Sequence, residues 1–146
     1  MNNFLQNCKV TYVLAPVADG QAASATSIVD MNGWDGVAFI ALTGDVTSGS
    51  VLTLTAQQDN LNGPGGMASL TGTATYTALS ATDADNKALI LDVQKPNKQF
   101  VRAIFTSATQ NAVKAGVIAI QYRGRNLPVV QGTTVLNSKL IYDAAE

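Results

Sequence analysis

The chain has 146 residues, of which 47% are hydrophobic and 13% are charged, about half the charged share of an average soluble domain. Nine basic and ten acidic residues leave a formal charge of −1, so no strong field draws the chain to nucleic acid or to an anionic membrane. The length fits one domain with a sizeable core. We therefore expect no nucleic-acid partner, no membrane partner, and recognition by shape.

Several residue types needed for common chemistry are scarce. The chain has no His, its one Glu is Glu146, and Cys8 is its single cysteine. A lone cysteine excludes an intrachain disulfide and a thiolate zinc site; the simplest interpretation is a small, buried or half-buried residue, with an interchain disulfide or a nucleophile as the alternatives. The first ten residues lack the basic and apolar regions of a signal peptide. We expect synthesis in a cytoplasm, no cofactor and no metal.

The dominant pattern along the chain is the alternation of apolar and polar residues that is typical of strands. Strand-like runs occur at residues 9–14, 25–31, 37–42, 50–57, 71–79, 88–93, 99–105, 113–122 and, more weakly, 133–141. The run at 37–42, VAFIAL, is apolar on both faces, which favours a central strand. The run at 50–57, SVLTLTAQ, alternates and should place one face on a core.

Turn residues between these runs predict their connections. Gly44, Asp45, Ser48 and Gly49 separate two runs, and Pro96 lies in the turn between two others, so we predict two hairpins. Helical spacing is not convincing anywhere. About nine short strands indicate one all-β domain over residues 1–146, an antiparallel β-sandwich of jelly-roll type with an N-terminal arm at about residues 1–8.

Two loops resemble ligand-binding motifs but lack required residues. The Gly-rich loop at residues 61–70 has no Lys followed by Ser or Thr after Gly66, as a phosphate loop would need, so it is interpreted as a surface turn. The segment TDADNK at 82–87 begins like a calcium loop, yet the later Gly and Glu positions hold Ala88 and Gln94. We interpret it as a polar turn, with a weak cation site as the alternative.

Asp30 and Asp35 are the pair of acids best placed to act as a glycosidase, because Trp34 lies beside them in the sequence. Their neighbours are turn-forming residues, and Trp34 is more simply a core or inter-subunit anchor. A Ser or Cys hydrolase would lack its usual His base. Arg123 and Arg125 form the one compact basic pair, which suits an acidic contact. We therefore expect no catalytic residue and no enzyme activity.

Three segments carry a resemblance to a known family: residues 29–58 (VDMNGWDGVAFIALTGDVTSGSVLTLTAQQ), residues 82–105 (TDADNKALILDVQKPNKQFVRAIF) and residues 119–129 (AIQYRGRNLPV). In order and approximate spacing they resemble the head decoration, cement or auxiliary capsid proteins of tailed bacteriophages. The likeness extends from about Ile28 to Val130. The C-terminal LIYDAAE resembles that family only loosely.

The resemblance implies a structural virion protein on the capsid exterior, whose partners are the major capsid protein and further copies of itself as a dimer or trimer. It marks no contact residues, so we predict these from exposed loops and apolar residues. The predicted capsid or subunit contacts are Asn2, Asn3, Phe4, Leu5, Trp34, Arg123, Arg125, Asn126 and Leu127. The alternative is a carbohydrate-binding or host-surface adhesion module with Trp34 as its aromatic platform.

Overall fold

The computed structural model describes residues 3–141. Strands hold 55% of these residues and helix 5%, which confirms the prediction of an all-β fold. The elements are α1 (Phe4–Asn7), β1 (Lys9–Leu14), β2 (Val17–Ala25), β3 (Val29–Asp30), β4 (Gly36–Val46), β5 (Val51–Asp59), a 3₁₀ turn (Pro64–Gly66), β6 (Ala68–Thr77), β7 (Ala88–Gln94) and β8 (Phe100–Tyr122). The short α1 is a helical turn that the sequence pattern did not predict.

The strands form a single antiparallel sheet organised around β8, which is 23 residues long. The strand order is β6-β5-β8-β4-β7, and β1, β2 and β3 also pair with β8. The start of β8 pairs with β5 up to Ala108, and its end pairs with β4 from Ala112 to Tyr122. We call β6, β5, the start of β8, β2 and β3 the first half of the sheet. The second half comprises β7, β4, the end of β8 and β1.

A bend in β8 turns the two halves toward each other. Buried residues occupy odd-numbered positions up to Ser107, even-numbered positions from Ala112 to Gly116 after an exposed stretch at 109–111, and odd-numbered positions again from Val117. Thr109 lies at the bend with φ of 70°, in the left-handed region that few non-glycine residues adopt. The two reversals, one at the bend and one at Gly116, keep the buried residues of β8 on the side of the core. Gln121, near the end of β8, links the second half of the sheet to β3 in the first half, because its Nε2 donates to the Asp30 carbonyl at 2.8 Å.

The core lies between the two halves of the curled sheet. Phe39, Leu54, Phe105 and Val117 are each 0% exposed and come from β4, β5 and both parts of β8. This sandwich-like arrangement follows from strands whose alternate residues are apolar. The strand order does not confirm the predicted jelly-roll connectivity.

Several predicted pairings and strands are wrong. Neither predicted hairpin forms, because β4 and β5 each pair with β8, and β7 pairs with β4. The runs at 99–105 and 113–122 belong to one strand, and 133–141 contains no strand. Alternation shows which side chains face a core, but it does not identify the neighbouring strand. One long bent strand occupies the position beside both β4 and β5.

The C-terminal segment is held against the start of the chain. The Val129 N–H donates to the Gln6 carbonyl at 2.9 Å, and Gln131 Nε2 donates to the Cys8 carbonyl at 2.7 Å. Along the free edge of β1, Gln131 Oε1 accepts from the Val10 N–H at 2.9 Å. The segment thus satisfies edge groups that would otherwise offer a template for strand addition.

Lys114 is a buried cation in this core. Its side chain is 1% exposed, its Nζ donates to the Ala22 carbonyl at 2.9 Å, and its ammonium group lies 5.9 Å from the centre of the Phe105 ring. Burial lowers the pKa of Lys114 below its ordinary value, because a charged amine loses hydration in the core.

We expect the free energy of unfolding to rise with pH because of Lys114. The unfolded chain binds the proton more tightly than the folded chain, so the penalty of the buried charge is relieved as pH rises from the lowered pKa toward the ordinary value of 10.5. As pH rises toward 10.5, urea unfolding should show a gain in the stability of the wild type relative to Lys114→Met. Lys87→Met, at an exposed lysine, is the matched control. Parallel pH profiles for the wild type and Lys114→Met would contradict the assignment.

Candidate contact surfaces

The acids that the sequence suggested as a catalytic pair have structural roles. One Asp30 carboxylate oxygen accepts from the Asn32 N–H at 2.9 Å and from Gln99 Nε2 at 3.0 Å. Asp35 forms an ion pair with Arg125, with 3.6 Å between the carboxylate and guanidinium groups. These contacts hold the loop between β3 and β4, as expected of the turn interpretation.

The carboxylates of the 82–87 segment also accept hydrogen bonds from neighbouring protein groups. Asp83 accepts from the Tyr76 hydroxyl at 2.7 Å and the Leu79 N–H at 2.9 Å, and Asp85 accepts from the Val46 N–H at 2.8 Å. The hydrogen bonds from the Leu79 N–H and the Tyr76 hydroxyl lower the pKa of Asp83 to about 2, whereas a general acid needs a raised pKa. Within residues 3–141, no three His, Cys, Asp or Glu side chains cluster as metal ligands would.

Cys8 and the Gly-rich loop match their simpler interpretations. Cys8 is partly buried, and burial raises the pKa of its thiol, which disfavours the nucleophilic thiolate. The Gly-rich loop contains the exposed 3₁₀ turn Pro64–Gly66 and connects β5 to β6 at the surface.

Trp34 packs against the loop that follows β8. A Cβ on Gly124 would come within 2.8 Å of the benzene part of the indole, so only glycine allows this close approach. The Arg125 N–H donates to the Gly33 carbonyl at 2.8 Å, and the ion pair with Asp35 adds a second link. Trp34 is half-buried and fixes the 123–127 loop against the loop between β3 and β4.

The opposite side of the same loop meets the N-terminal helical turn. Phe4 and Leu127, each 51% exposed, line a cavity of about 360 Å³ together with Arg123 and Tyr122. Asn3 also lines it, and the Asn3 side chain caps α1 by accepting from the Gln6 N–H. We call this group, with Trp34 and Arg125, the end cluster.

The other predicted contact residues are not part of the end cluster. Leu5 is half-buried, and its carbonyl accepts from Gln131 Nε2 at 3.2 Å. Asn126 is exposed on the 123–127 loop. Asn2 lies outside the described residues. The end cluster therefore brings together most of the predicted contacts at one end of the sheet, although their binding role stays a prediction.

The second half of the sheet has an apolar outer face. Residues that alternate with the buried ones point away from the core, and most are aliphatic. Register places Ile90 beside Ile40 and Ile40 beside Ile118, which in turn lies beside Tyr12. We call this surface the apolar face; it comprises Val10, Tyr12, Ala38, Ile40, Leu42, Ala88, Ile90, Ile118 and Ile120.

The apolar face has one charged residue at its border and contrasts with the other side of the molecule. Asp92 lies beside Ala38 in register, and its carboxylate accepts a hydrogen bond from the Tyr122 hydroxyl. The outer face of the first half instead carries threonines in register, with Thr53 beside Thr75 and Thr55 beside Thr73. The outer face of the first half is therefore polar and suited to contact with water. The apolar face instead exposes aliphatic side chains, among them Ile90 at 62%.

Tyr122 joins the apolar face to the end cluster. Its ring crosses over Gly36, where the ring leaves no room for a Cβ, and it also lines the cavity beside Phe4. Burial and the Asp92 carboxylate together raise the pKa of Tyr122 to about 12. The Tyr122 hydroxyl therefore stays neutral. Because Tyr122 borders both the apolar face and the end cluster, these two form one continuous surface.

The sequence interpretation did not identify the apolar face. It correctly placed 37–42 on a central strand, since β4 lies between β7 and β8, but it drew no conclusion about the outer face of that strand. The signal was present in the unbroken apolar run GVIAI at 116–120, which repeats the two-sided pattern of β4. Only the register shows that the outward residues of both runs share a face.

Comparison of the sequence with protein-family models finds no match, and comparison with curated proteins finds none either. Among residues 3–141, no helix is both long enough and apolar enough to cross a membrane.

Proposed function

We propose that the protein is a structural component of a tailed-phage virion, which binds the outside of the capsid shell and stabilises it. The apolar face is the observation that carries this proposal. An antiparallel sheet with one solvated face ordinarily has polar residues on that face. Three adjacent strands here present isoleucines instead, and a fourth presents Val10 and Tyr12; the largest apolar patch on a soluble protein is often functional.

The size of the apolar face favours repeated contacts over a single tight one. Strands about 4.8 Å apart and about 3.4 Å per residue give a footprint near 300 Å², below the roughly 800 Å² per partner of a standard interface. The end cluster extends this area. Binding at many equivalent shell positions, with copies linked as dimers or trimers, would add avidity to each modest contact. The proposed partners are therefore the major capsid protein and the protein itself.

The proposal also agrees with the roles of the four aspartates that resembled catalytic or metal-binding residues. Asp30, Asp35, Asp83 and Asp85 all make contacts that hold loops. A shell-binding protein needs a rigid scaffold and contact patches rather than a reactive group. We accordingly propose a non-enzymatic role on the capsid exterior.

Heating particles with and without the protein tests the stabilising role. Binding that favours the assembled shell contributes about 2.7 kcal/mol per site when the free protein is at one hundred times its Kd. Particles that lack the protein should still assemble but release their DNA at a lower temperature. Adding back purified protein should restore the release temperature. Equal release temperatures for complete and depleted particles would refute the stabilising role.

Carbohydrate binding is the second candidate, because Trp34 lines a cavity of about 540 Å³ with the amide side chains of Asn97 and Gln99. Amides beside an aromatic ring suit sugar hydroxyls. Glycan-array binding that disappears in Trp34→Ala, with the fold retained, would support a sugar-binding or host-adhesion role.

A further inference from the structure

A polar groove borders the 123–127 loop at Arg125, whereas the cavity beside Phe4 borders the same loop at Arg123, Gly124 and Leu127. Its floor is the loop at 31–35, one wall is the turn at 95–99, and Arg125 forms the other wall. We call it the Trp34 groove. Its volume of about 540 Å³ falls within the range of roughly 300–1,000 Å³ that is usual for ligand sites.

Backbone hydrogen bonds hold both walls to the floor. The Lys95 N–H donates to the Asp35 carbonyl at 2.7 Å, the Met31 N–H donates to the Gln99 carbonyl at 2.7 Å, and the Arg125 link to Gly33 secures the opposite side. A groove tied in this way loses little freedom when a ligand binds.

The charge of the Trp34 groove is opposite to that of the chain. Lys95, Lys98 and Arg125 line it with one carboxylate, that of Asp35, whereas the whole chain carries −1. Within residues 3–141 the Arg125–Asp35 pair is the one salt bridge, so neither lysine ammonium group is paired there with a carboxylate. The groove therefore attracts an anion.

We propose that the Trp34 groove binds an extended acidic polypeptide segment, with Lys95, Lys98 and Arg125 contacting its carboxylates and Trp34 contacting its apolar parts. A neutral sugar would not use the three cations. Gly124 also covers part of the indole, which reduces the ring surface available for stacking a sugar.

The choice of a polypeptide over an acidic glycan rests on the proposed function. A protein bound to the apolar face and to Phe4 would meet the 123–127 loop, whose Arg125 lines the groove. The inference that the ligand carries carboxylates depends only on the charges that line the groove. A test without capsids makes failure of the groove proposal distinct from failure of shell binding.

Trp34 is the only tryptophan in the chain, so its fluorescence reports directly on the groove. A peptide of alternating Glu and Gly should change the Trp34 emission in a saturable way, and the affinity should fall as ionic strength rises from about 0.02 to 0.3 M. The matching Gln and Gly peptide should produce no saturable change. An unchanged emission with the Glu peptide, or an equal response to both peptides, would overturn the proposal.

Charge-reversal variants test the contacts. Lys95→Glu with Lys98→Glu should weaken binding of the Glu peptide by about tenfold or more. The matched control is Lys87→Glu with Lys139→Glu, which changes the net charge equally at residues outside the groove lining; it should retain most of the affinity. Circular dichroism checks that both variants keep the fold. Equal losses in the two variants would show a general charge effect and contradict a groove site.

Binding of oligogalacturonate tests an acidic glycan as the ligand of the groove, and binding of a neutral chito-oligosaccharide tests a neutral sugar. We expect both to bind more weakly than the Glu peptide. Tighter binding of oligogalacturonate would overturn the polypeptide assignment in favour of an acidic glycan. Tighter binding of the neutral sugar, unaffected by the lysine substitutions, would overturn the proposal in favour of carbohydrate recognition.

Discussion

Phe39→Ala is expected to lower the free energy of unfolding by about 3–5 kcal/mol, the cost of removing a large aromatic side chain from a packed core. Phe39 is 0% exposed and lies between the two halves of the sheet. Because domains of this kind are stable by only about 5–15 kcal/mol, the variant should unfold at a much lower urea concentration. Urea titration followed by circular dichroism measures the change.

Phe4→Ala is the matched control for that core substitution. Phe4 is 51% exposed, so its truncation should cost about 1 kcal/mol or less. A comparable loss of stability in both variants would contradict the assignment of Phe39 to the core and Phe4 to the contact surface.

Ile40→Thr with Ile118→Thr is expected to weaken binding to capsid shells by about thirtyfold or more. The two residues are neighbours in register on the apolar face, and each isoleucine removed from water at an interface contributes about 1–2 kcal/mol. Threonine keeps the β-branched shape that suits a strand, so the fold should persist. Co-sedimentation with shells that lack the protein measures the binding.

Val51→Thr with Ile104→Thr provides the control on the opposite side of the molecule. Both residues lie on the outer face of the first half, where Val51 pairs with Ala108 and Ile104 pairs with Thr55. The control should bind shells like the wild type. Unchanged binding by the apolar-face variant, or an equal loss in the control, would contradict docking through the apolar face.

The sequence predicted the positions of several strands well. The run at 9–14 matches β1, and the runs at 37–42, 50–57 and 88–93 lie within or overlap β4, β5 and β7. Side-chain periodicity is a local property that each segment carries by itself. Pairing depends on distant residues, which explains why both predicted hairpins are wrong.

The continuity of β8 could not be predicted because its bend removes the local pattern. Residues 106–112, TSATQNA, are mostly polar or small, and exposed residues at 109–111 interrupt the alternation. Such a segment is typical of a loop. Hydrogen bonds to β2 and β4 hold Ala112 and its neighbours in the sheet in spite of that composition.

Parts of the contact surface were predictable and others were not. The sequence predicted Trp34, Phe4 and the 123–127 loop as contacts, and the structure brings them together at one end. The Trp34 groove needs Lys95 and Lys98, which the sequence indicated only as turn residues. Their proximity to Arg125 depends on hydrogen bonds between segments distant in the chain.

An electron-microscopy map of virions with and without the protein tests the central claim most directly. The account predicts density for the protein on the outer surface of the shell in complete particles, absent from depleted ones, with the strands of Ile40, Ile90 and Ile118 toward the capsid and the threonines of β5 and β6 toward solvent. Identical maps for the two preparations, or a protein that meets the shell through its threonine face, would contradict it.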